Sequence, residues 1–227
     1  MQTRQLFDPA SYTYSYLVWD NASREAALID PVQEQFLRDL KLIKGLGLTL
    51  RYTLETHVHA DHITASGTFR EKLNSLVLVH ENCHSKCPDI LLKDGDQIPL
   101  GSGKIEVLYT PGHTDCDVSY AIPGAVFTGD ALLIDGCGRT DFQSGDAGTL
   151  YDSITRRLFT LPDATRIYPG HDYQGRKFST VGEEKLHNPR IGSGRNRDEF
   201  ISIMNELKLE PPRRIREALP SNLRCGT

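Results

Sequence analysis

His57-Val58-His59-Ala60-Asp61-His62 places three imidazoles and one carboxylate within six consecutive residues, a density suited to holding a metal ion. Just upstream, Arg51 to Leu54 reads as the end of a strand, with Leu50, Tyr52 and Leu54 sharing one face. Downstream, Ile63 to Leu73 carries its apolar residues at helical spacing. The cluster therefore falls on a strand-to-helix loop, and the C-terminal ends of strands are where open α/β sheets present ligands.

Three further strand ends repeat the arrangement. The alternating stretch Lys104 to Tyr109 stops at Thr110-Pro111-Gly112-His113, and Ala125 to Gly129 ends on Asp130. Arg166 to Tyr168 stops at Pro169-Gly170-His171. Pro-Gly pairs turn a chain sharply, so each histidine is delivered at a strand tip. From the residues alone, His57, His59 and His113 could hold one metal and Asp61, His62 and His171 another, with Asp130 bridging. Paired metals of that kind suit a hydrolase working through a bridging hydroxide.

The rest of the chain supplies a scaffold. Tyr14 to Trp19 and Glu25 to Asp30 read as paired strands around Asp20-Asn21-Ala22-Ser23, with Pro31 ending the second. Residues 32–46 predict a helix with Phe36, Leu40, Ile43 and Leu46 on its apolar face, closed by Gly45 and Gly47. Leu76 to Val79 is a short buried strand. Asp94 to Pro99 and Leu100 to Gly103 carry turn signals, and Ser119 to Ile122 pairs with the strand after Pro123-Gly124. Helices are expected over 149–160, 196–207 and 212–219. The stretch His80-Glu81-Asn82-Cys83-His84-Ser85-Lys86-Cys87 lacks the spacing of a zinc knuckle. It reads as a partly exposed helix on which His80, His84 and Cys87 share a face.

A net charge of −4 argues against nucleic acid as the main partner. No run approaches the roughly 20 apolar residues of a membrane helix, and the N-terminus lacks the apolar core of a signal peptide. Five cysteines at irregular spacing (Cys83, Cys87, Cys116, Cys137, Cys225) make poor material for a disulfide framework. Reduced thiols and a cytoplasmic location are expected.

The set H-x-H-x-D-H, P-G-H-T, G-D and P-G-H resembles the metallo-β-lactamase superfamily, which implies an α/β fold of the αββα sandwich type. Longer stretches narrow the resemblance. They include His57 to Gly67, Asp130 to Gly145 with its Gly136-Cys137-Gly138-Arg139, Tyr168 to Tyr173, Ser179-Thr180-Val181, Asn188-Pro189-Arg190 and Asn222 to Gly226. These are similar to the persulfide dioxygenases, the ethylmalonic encephalopathy protein family, over nearly the whole chain. The resemblance implies one domain over residues 1–227 with a short helical extension over 190–227.

It also implies one iron(II) per chain, held by His57, His113 and Asp130, the two-histidine, one-carboxylate face of non-haem iron oxygenases. His59, Asp61, His62 and His171 then orient those ligands through hydrogen bonds. The implied substrates are glutathione persulfide and dioxygen, giving sulfite and glutathione, and relatives suggest a homodimer. Glutathione carries two carboxylates, for which Arg139, Tyr173 and Arg214 are the candidate partners. Cys116 stands close to His113 where relatives tend to have glycine, and Cys137 serves either as a small structural residue or as a modifiable thiol. The alternative is a dinuclear thioester hydrolase of the glyoxalase II type. Two features weigh against it: little chain follows His171 to form that enzyme's helical region, and Ala60 stands where it typically has a bulky aromatic.

Overall fold

Along the second strand, odd and even residues bury on opposite sides. Tyr16 and Val18 enter one apolar cluster while Leu17 and Trp19 enter another. A strand buried on both faces sits inside a layered stack. The computed structural model describes residues 1–226 and shows that stack as two six-stranded sheets packed face to face with helices outside each.

The first sheet has the order β1-β2-β3-β4-β5-β6. Its strands are β1 (Gln2–Asp8), β2 (Thr13–Trp19), β3 (Glu25–Ile29), β4 (Thr49–Leu54), β5 (Leu76–His80) and β6 (Ile90–Leu92). Helices α1 (Phe36–Gly45) and α2 (Ser66–Leu73) cover its outer face. The second sheet runs β12-β11-β10-β9-β8-β7. It comprises β7 (Gln97–Leu100), β8 (Gly103–Tyr109), β9 (Val118–Ile122), β10 (Ala125–Gly129), β11 (Arg166–Pro169) and β12 (Ser179–Thr180). Outside it lie α3 (Ala147–Ser153), α4 (Val181–His187) and α5 (Arg197–Glu206), and α6 (Ile215–Asn222) closes the described chain.

The core follows the pleat. Tyr16, Ile29, Leu54 and Leu78 meet Leu100, Val107, Tyr120 and Phe127 between the sheets. Leu28, Ile43 and Phe69 fill the first outer layer, and Val126, Leu150, Ile167 and Phe200 fill the second. Each fully buried side chain of this size contributes about 1.5–3 kcal/mol.

Several sequence expectations are corrected. Leu50 does not share a face with Tyr52 and Leu54: it packs under the helices, whereas those two face the other sheet. The register jumps from Ala26↔Leu50 to Ala27↔Tyr52, leaving Arg51 as an extra residue, and one extra residue inverts the alternation. The stretch after β5 is no helix; a single 3-10 turn (Glu81–Cys83) ends at His84 in the left-handed region (φ 50°). The turn-like Gln97–Leu100 is a strand, and β1 and β6 carry too little apolar alternation to be seen in advance. The five thiols are not all reduced. Cys87 and Cys225 form a disulfide across 138 residues, and Cys83, Cys116 and Cys137 are free. Sequence spacing is blind to such a pair because the fold, not the chain, brings it together. No helix among the described residues is long and apolar enough to cross a membrane.

Candidate metal centre

Five strands, β3, β4, β8, β10 and β11, direct their C-terminal ends to one edge of the sandwich. They deliver Asp30, the His57–His62 loop, His113, Asp130 and His171 there. The ligating atoms of His57, His113 and Asp130 all lie within 4.8 Å of one another. The His57 and His113 rings stand edge to face, 4.9 Å apart. His113 Nε2 is 3.6 Å from Asp130 Oδ2, and His171 Nε2 is 3.7 Å from both Asp130 Oδ1 and Asp61 Oδ2.

The hydrogen bonds behind these rings decide which nitrogen faces inward. The Thr56 hydroxyl donates its one proton to Asp30 Oδ2 (2.9 Å), so it can only accept from His57 Nδ1 (3.0 Å). His57 Nε2 is thereby left with its lone pair. His113 Nδ1 donates to the Arg139 carbonyl (2.7 Å) and His171 Nδ1 to the Tyr12 carbonyl (2.9 Å), so each of these rings turns Nε2 inward. Burial, reinforced by the neighbouring His59 and His113, holds the His57 pKa well below its usual range. It is therefore neutral, as a metal ligand must be. Asp130 Oδ1 is buried and has no hydrogen-bond partner in the protein, the state of a donor atom that serves an ion. The set fits a metal.

Beside it, His59, Asp61 and His62 form a second group of donors. His62 Nδ1 lies 3.0 Å from Asp61 Oδ2, to which the Thr13 hydroxyl also donates (2.9 Å). His59 Nε2 lies 3.0 Å from Asp30 Oδ1 and 3.4 Å from Glu55 Oε2. Burial opposes a charge on His59, but the Asp30 and Glu55 carboxylates outweigh it and raise the pKa well above the usual value. Glu55 in turn accepts from the Thr64 and Ser66 hydroxyls. His59 Nδ1 and His62 Nε2 have no partner.

A cavity of about 510 Å³ opens over the first group, with His57, Ala60, Asp61, His113, Asp130 and His171 among its lining residues. A larger cleft of about 730 Å³ lies among Ile122, Pro123, Leu161 and Pro162, but it contains none of the clustered ligands, so the chemistry belongs to the smaller one. Tyr173 borders the smaller cavity, its ring parallel to that of His171 at 6.0 Å. Arg139 borders it too, but its donors are already used. They hold both Asp141 carboxylate oxygens (2.6 and 2.7 Å) and the carbonyls of Glu210 (2.7 Å) and Leu209 (3.0 Å). Arg214 is elsewhere, paired with Glu34 and Glu217. Its partners come from α6 and from the turn before α1, and it is not among the residues that line the cavity.

Other functional positions had weaker signals. Arg190 lines the cavity and uses Nη1 on the Cys137 carbonyl (2.6 Å). Among the described residues its other guanidinium nitrogens have no partner. Asp30 looked like no more than a strand end before proline. Asn222 gives its amide to the His59 and His62 carbonyls (2.8 Å each) and accepts from the Thr64 N–H (2.9 Å). Only its place in a tail motif pointed to it.

A fold of two stacked sheets with this donor set at one edge defines a metallo-β-lactamase enzyme scaffold. The Metallo-beta-lactamase superfamily pattern matches residues 8–171, and the chain belongs to that superfamily. Human mitochondrial persulfide dioxygenase ETHE1 is 48% identical over 225 residues, covering 98% of this chain and 88% of the human one. The crystal structure of ETHE1 from Myxococcus xanthus superposes with a TM-score of 0.97 at 53% identity, each chain fully covered. A probable metallo-hydrolase of Burkholderia pseudomallei is more distant, 32% identical over all of this chain and 93% of its own. Within the superfamily the chain thus belongs to the persulfide dioxygenase family.

Proposed function

We propose that this chain is an iron(II)-dependent persulfide dioxygenase that converts glutathione persulfide, dioxygen and water to glutathione and sulfite. The observation that carries the reading is the trio His57, His113 and Asp130, with its ring tautomers set from behind, at the floor of a cavity large enough for a tripeptide. Two imidazoles and one carboxylate suit iron(II) and leave coordination positions open. When bound there, iron supplies the redox chemistry by which both oxygen atoms are added to sulfur.

The chain's own residues do the rest. Thr56 and the Arg139 carbonyl hold the two rings in the ligating tautomer. His171 turns Nε2 towards both Asp130 and Asp61, 3.7 Å from each, and so links the carboxylate of the trio to that of the neighbouring group. Ala60 leaves space beside the metal for a sulfur-bearing chain. Arg190 offers a guanidinium to one substrate carboxylate and Tyr173 a phenol to another polar group. Arg139 contributes by clamping the 209–210 backbone along the cavity rather than by direct charge pairing.

A second reading, a dinuclear thioester hydrolase, is favoured by the unpartnered nitrogens of His59 and His62 beside Asp61. Metal content and oxygen uptake separate the two. One iron per chain and oxygen consumption with glutathione persulfide are expected. Two metals per chain, brisk hydrolysis of lactoylglutathione and no oxygen uptake would refute the dioxygenase.

A further inference from the structure

The three free cysteines, Cys83, Cys116 and Cys137, are all buried, so exposure does not tell them apart; their neighbours do. Cys83 closes the 3-10 turn after β5, and Cys116 lies in the loop between β8 and β9, three residues past His113. The two sulfurs are 2.8 Å apart, with the Cys83 S–H donating to Cys116 Sγ. The Cys116 sulfur also receives the Thr114 hydroxyl (3.6 Å) and the Val58 N–H. A local turn holds it there: the Thr114 hydroxyl accepts from the Cys116 N–H (3.3 Å), and Asp117 accepts from the Thr114 N–H. Three donors aimed at one sulfur are the surroundings of a thiolate. The Cys83 hydrogen bond does most to draw the Cys116 pKa down against burial, and the same bond pushes the Cys83 thiol up. Cys137 has the opposite balance: burial pushes it up to about 11, against the pull of Arg190. A cavity of about 10 Å³ opens beside the pair, with Val58, Val79, Cys83 and Ser85 among its lining residues. It has room for one molecule of about water's size, and Val58 and Ser85, both half-buried, lie on its way to the surface.

We propose that Cys83 and Cys116 form a peroxide-reactive dithiol, in which hydrogen peroxide oxidises Cys116 and Cys83 then closes the pair into a disulfide. Hydrogen peroxide, two oxygens long, matches the cavity; a glutathione disulfide or a lipid hydroperoxide does not. The Cys116 thiolate attacks one peroxide oxygen, the oxygen–oxygen bond breaks, and hydroxide leaves, so that Cys116 becomes a sulfenic acid. The Cys83 thiol attacks the Cys116 sulfur, the sulfur–oxygen bond breaks, and the departing hydroxide takes the Cys83 proton and leaves as water. Two electrons pass from the two sulfurs to the peroxide, which ends as hydroxide and water. The second step needs no partner from outside, because the sulfurs have only to close from 2.8 Å to the bond length of about 2.0 Å. The product ties the turn after β5 to the loop that carries His113. A disulfide sulfur has no charge, so the Val58 N–H loses a charged acceptor at the residue next to His57. None of this depends on which metal is bound.

The test uses the full-length protein, isolated without oxygen and divided into chelator-treated and iron-loaded samples. After hydrogen peroxide, a peptide map without reductant should show the Cys83 peptide linked to the Cys116 peptide in both samples. In the chelator-treated sample Cys137 should keep its thiol at least about tenfold longer, the margin expected between a thiolate and a buried thiol. Glutathione disulfide should leave the pair reduced. In Cys83→Ser a sulfenic-acid trap should label Cys116, while in Cys116→Ser the remaining Cys83 should react no faster than Cys137. Hydrogen exchange at the Val58 amide should quicken severalfold once the pair is closed. The readout is chemical and needs no turnover, so failure of the dioxygenase reading leaves it intact. The proposal is overturned by a map without the linked pair, by linkage in the iron-loaded sample alone, by Cys137 oxidising as fast as the pair, by linkage with glutathione disulfide, or by a trap that labels Cys83 instead of Cys116. The wild-type maps decide the matter even where a variant does not fold.

Discussion

Asp30→Asn is the substitution that most directly tests how the metal ligands are set. Asp30 has a left-handed backbone (φ 48°), a conformation asparagine accepts as readily as aspartate, so the main chain need not move. The carboxylate accepts from the Thr56 N–H (2.7 Å), the Thr56 hydroxyl (2.9 Å) and His59 Nε2 (3.0 Å). An amide has one oxygen where the carboxylate has two, so at least one of these donors loses its acceptor. Hydrogen bonds to a buried charge are worth about 1.5–3 kcal/mol each, so the variant should lose about 2–4 kcal/mol of stability. The effect on the metal runs through Thr56. Once its hydroxyl no longer donates to Asp30, it can donate to His57 Nδ1, and the ring is no longer held with its lone pair on Nε2. A loss of about 10–100-fold in metal affinity follows, the usual cost of removing an orienting partner. Chelator competition on the reconstituted protein and thermal melts of the metal-free protein read the two effects separately. If metal affinity is unchanged while stability falls, the tautomer chain from Asp30 through Thr56 to His57 is refuted and Asp30 is a fold residue only.

Other expected outcomes concern the ligands, the substrate and pH. Asp130→Ala should abolish iron binding and oxygen uptake together; retained uptake would remove Asp130 from the ligand set. Arg190→Ala should raise the KM for glutathione persulfide with little change in kcat, whereas Arg139→Ala should also lower stability because it frees the 209–210 backbone; kinetics beside thermal melts distinguish them. Burial raises the Asp117 pKa to about 8, so this carboxyl is protonated when the metal-free protein is folded and ionised when it is unfolded. Its stabilising contribution is complete below the unfolded value of 3.8 and is lost as pH rises towards about 8. Melts of the metal-free Asp117→Asn protein across that window should therefore fall less steeply than wild type; parallel curves would show that Asp117 is already ionised.

The parts of the site that lie close in sequence, or end a recognisable strand, were legible beforehand. The H-x-H-x-D-H loop is marked by its density of ligands after a strand, and His113, Asp130 and His171 by a strand that stops at glycine or Pro-Gly. The structure brings all of them to one edge. The layered fold was implied by the family resemblance that these motifs carry, and the two stacked sheets agree with it. What escaped depends on distance in the chain. Arg139 and Arg214 are both cations near plausible loops, and only the fold shows that the distant Leu209 and Glu210 carbonyls and Glu34 hold them. The Cys87–Cys225 bond and the Asn222 clamp join segments whose proximity follows from sheet order, which periodicity does not encode. Asp30 escaped because a carboxylate at a strand end has many uses, and only its three donors reveal this one.

The extra residue at Arg51 shows how narrowly the metal centre depends on strand phase. Up to Leu50, β4 answers to the helices outside the sheet; from Tyr52 onward it answers to the opposite sheet, and three residues after the strand ends the chain presents His57. Arg51 works as a phase shifter placed just ahead of the ligand loop. A chain lacking that one residue would keep its composition and every ligand. Yet β4 would have to choose between burying Leu50 under the helices and burying Tyr52 and Leu54 between the sheets. Whichever face won, the other half of the strand would be inverted or the loop displaced by a residue. Length in this strand is therefore under tighter constraint than side-chain identity: Arg51, exposed and weakly paired with Glu25 at 3.6 Å, should tolerate almost any replacement and no deletion.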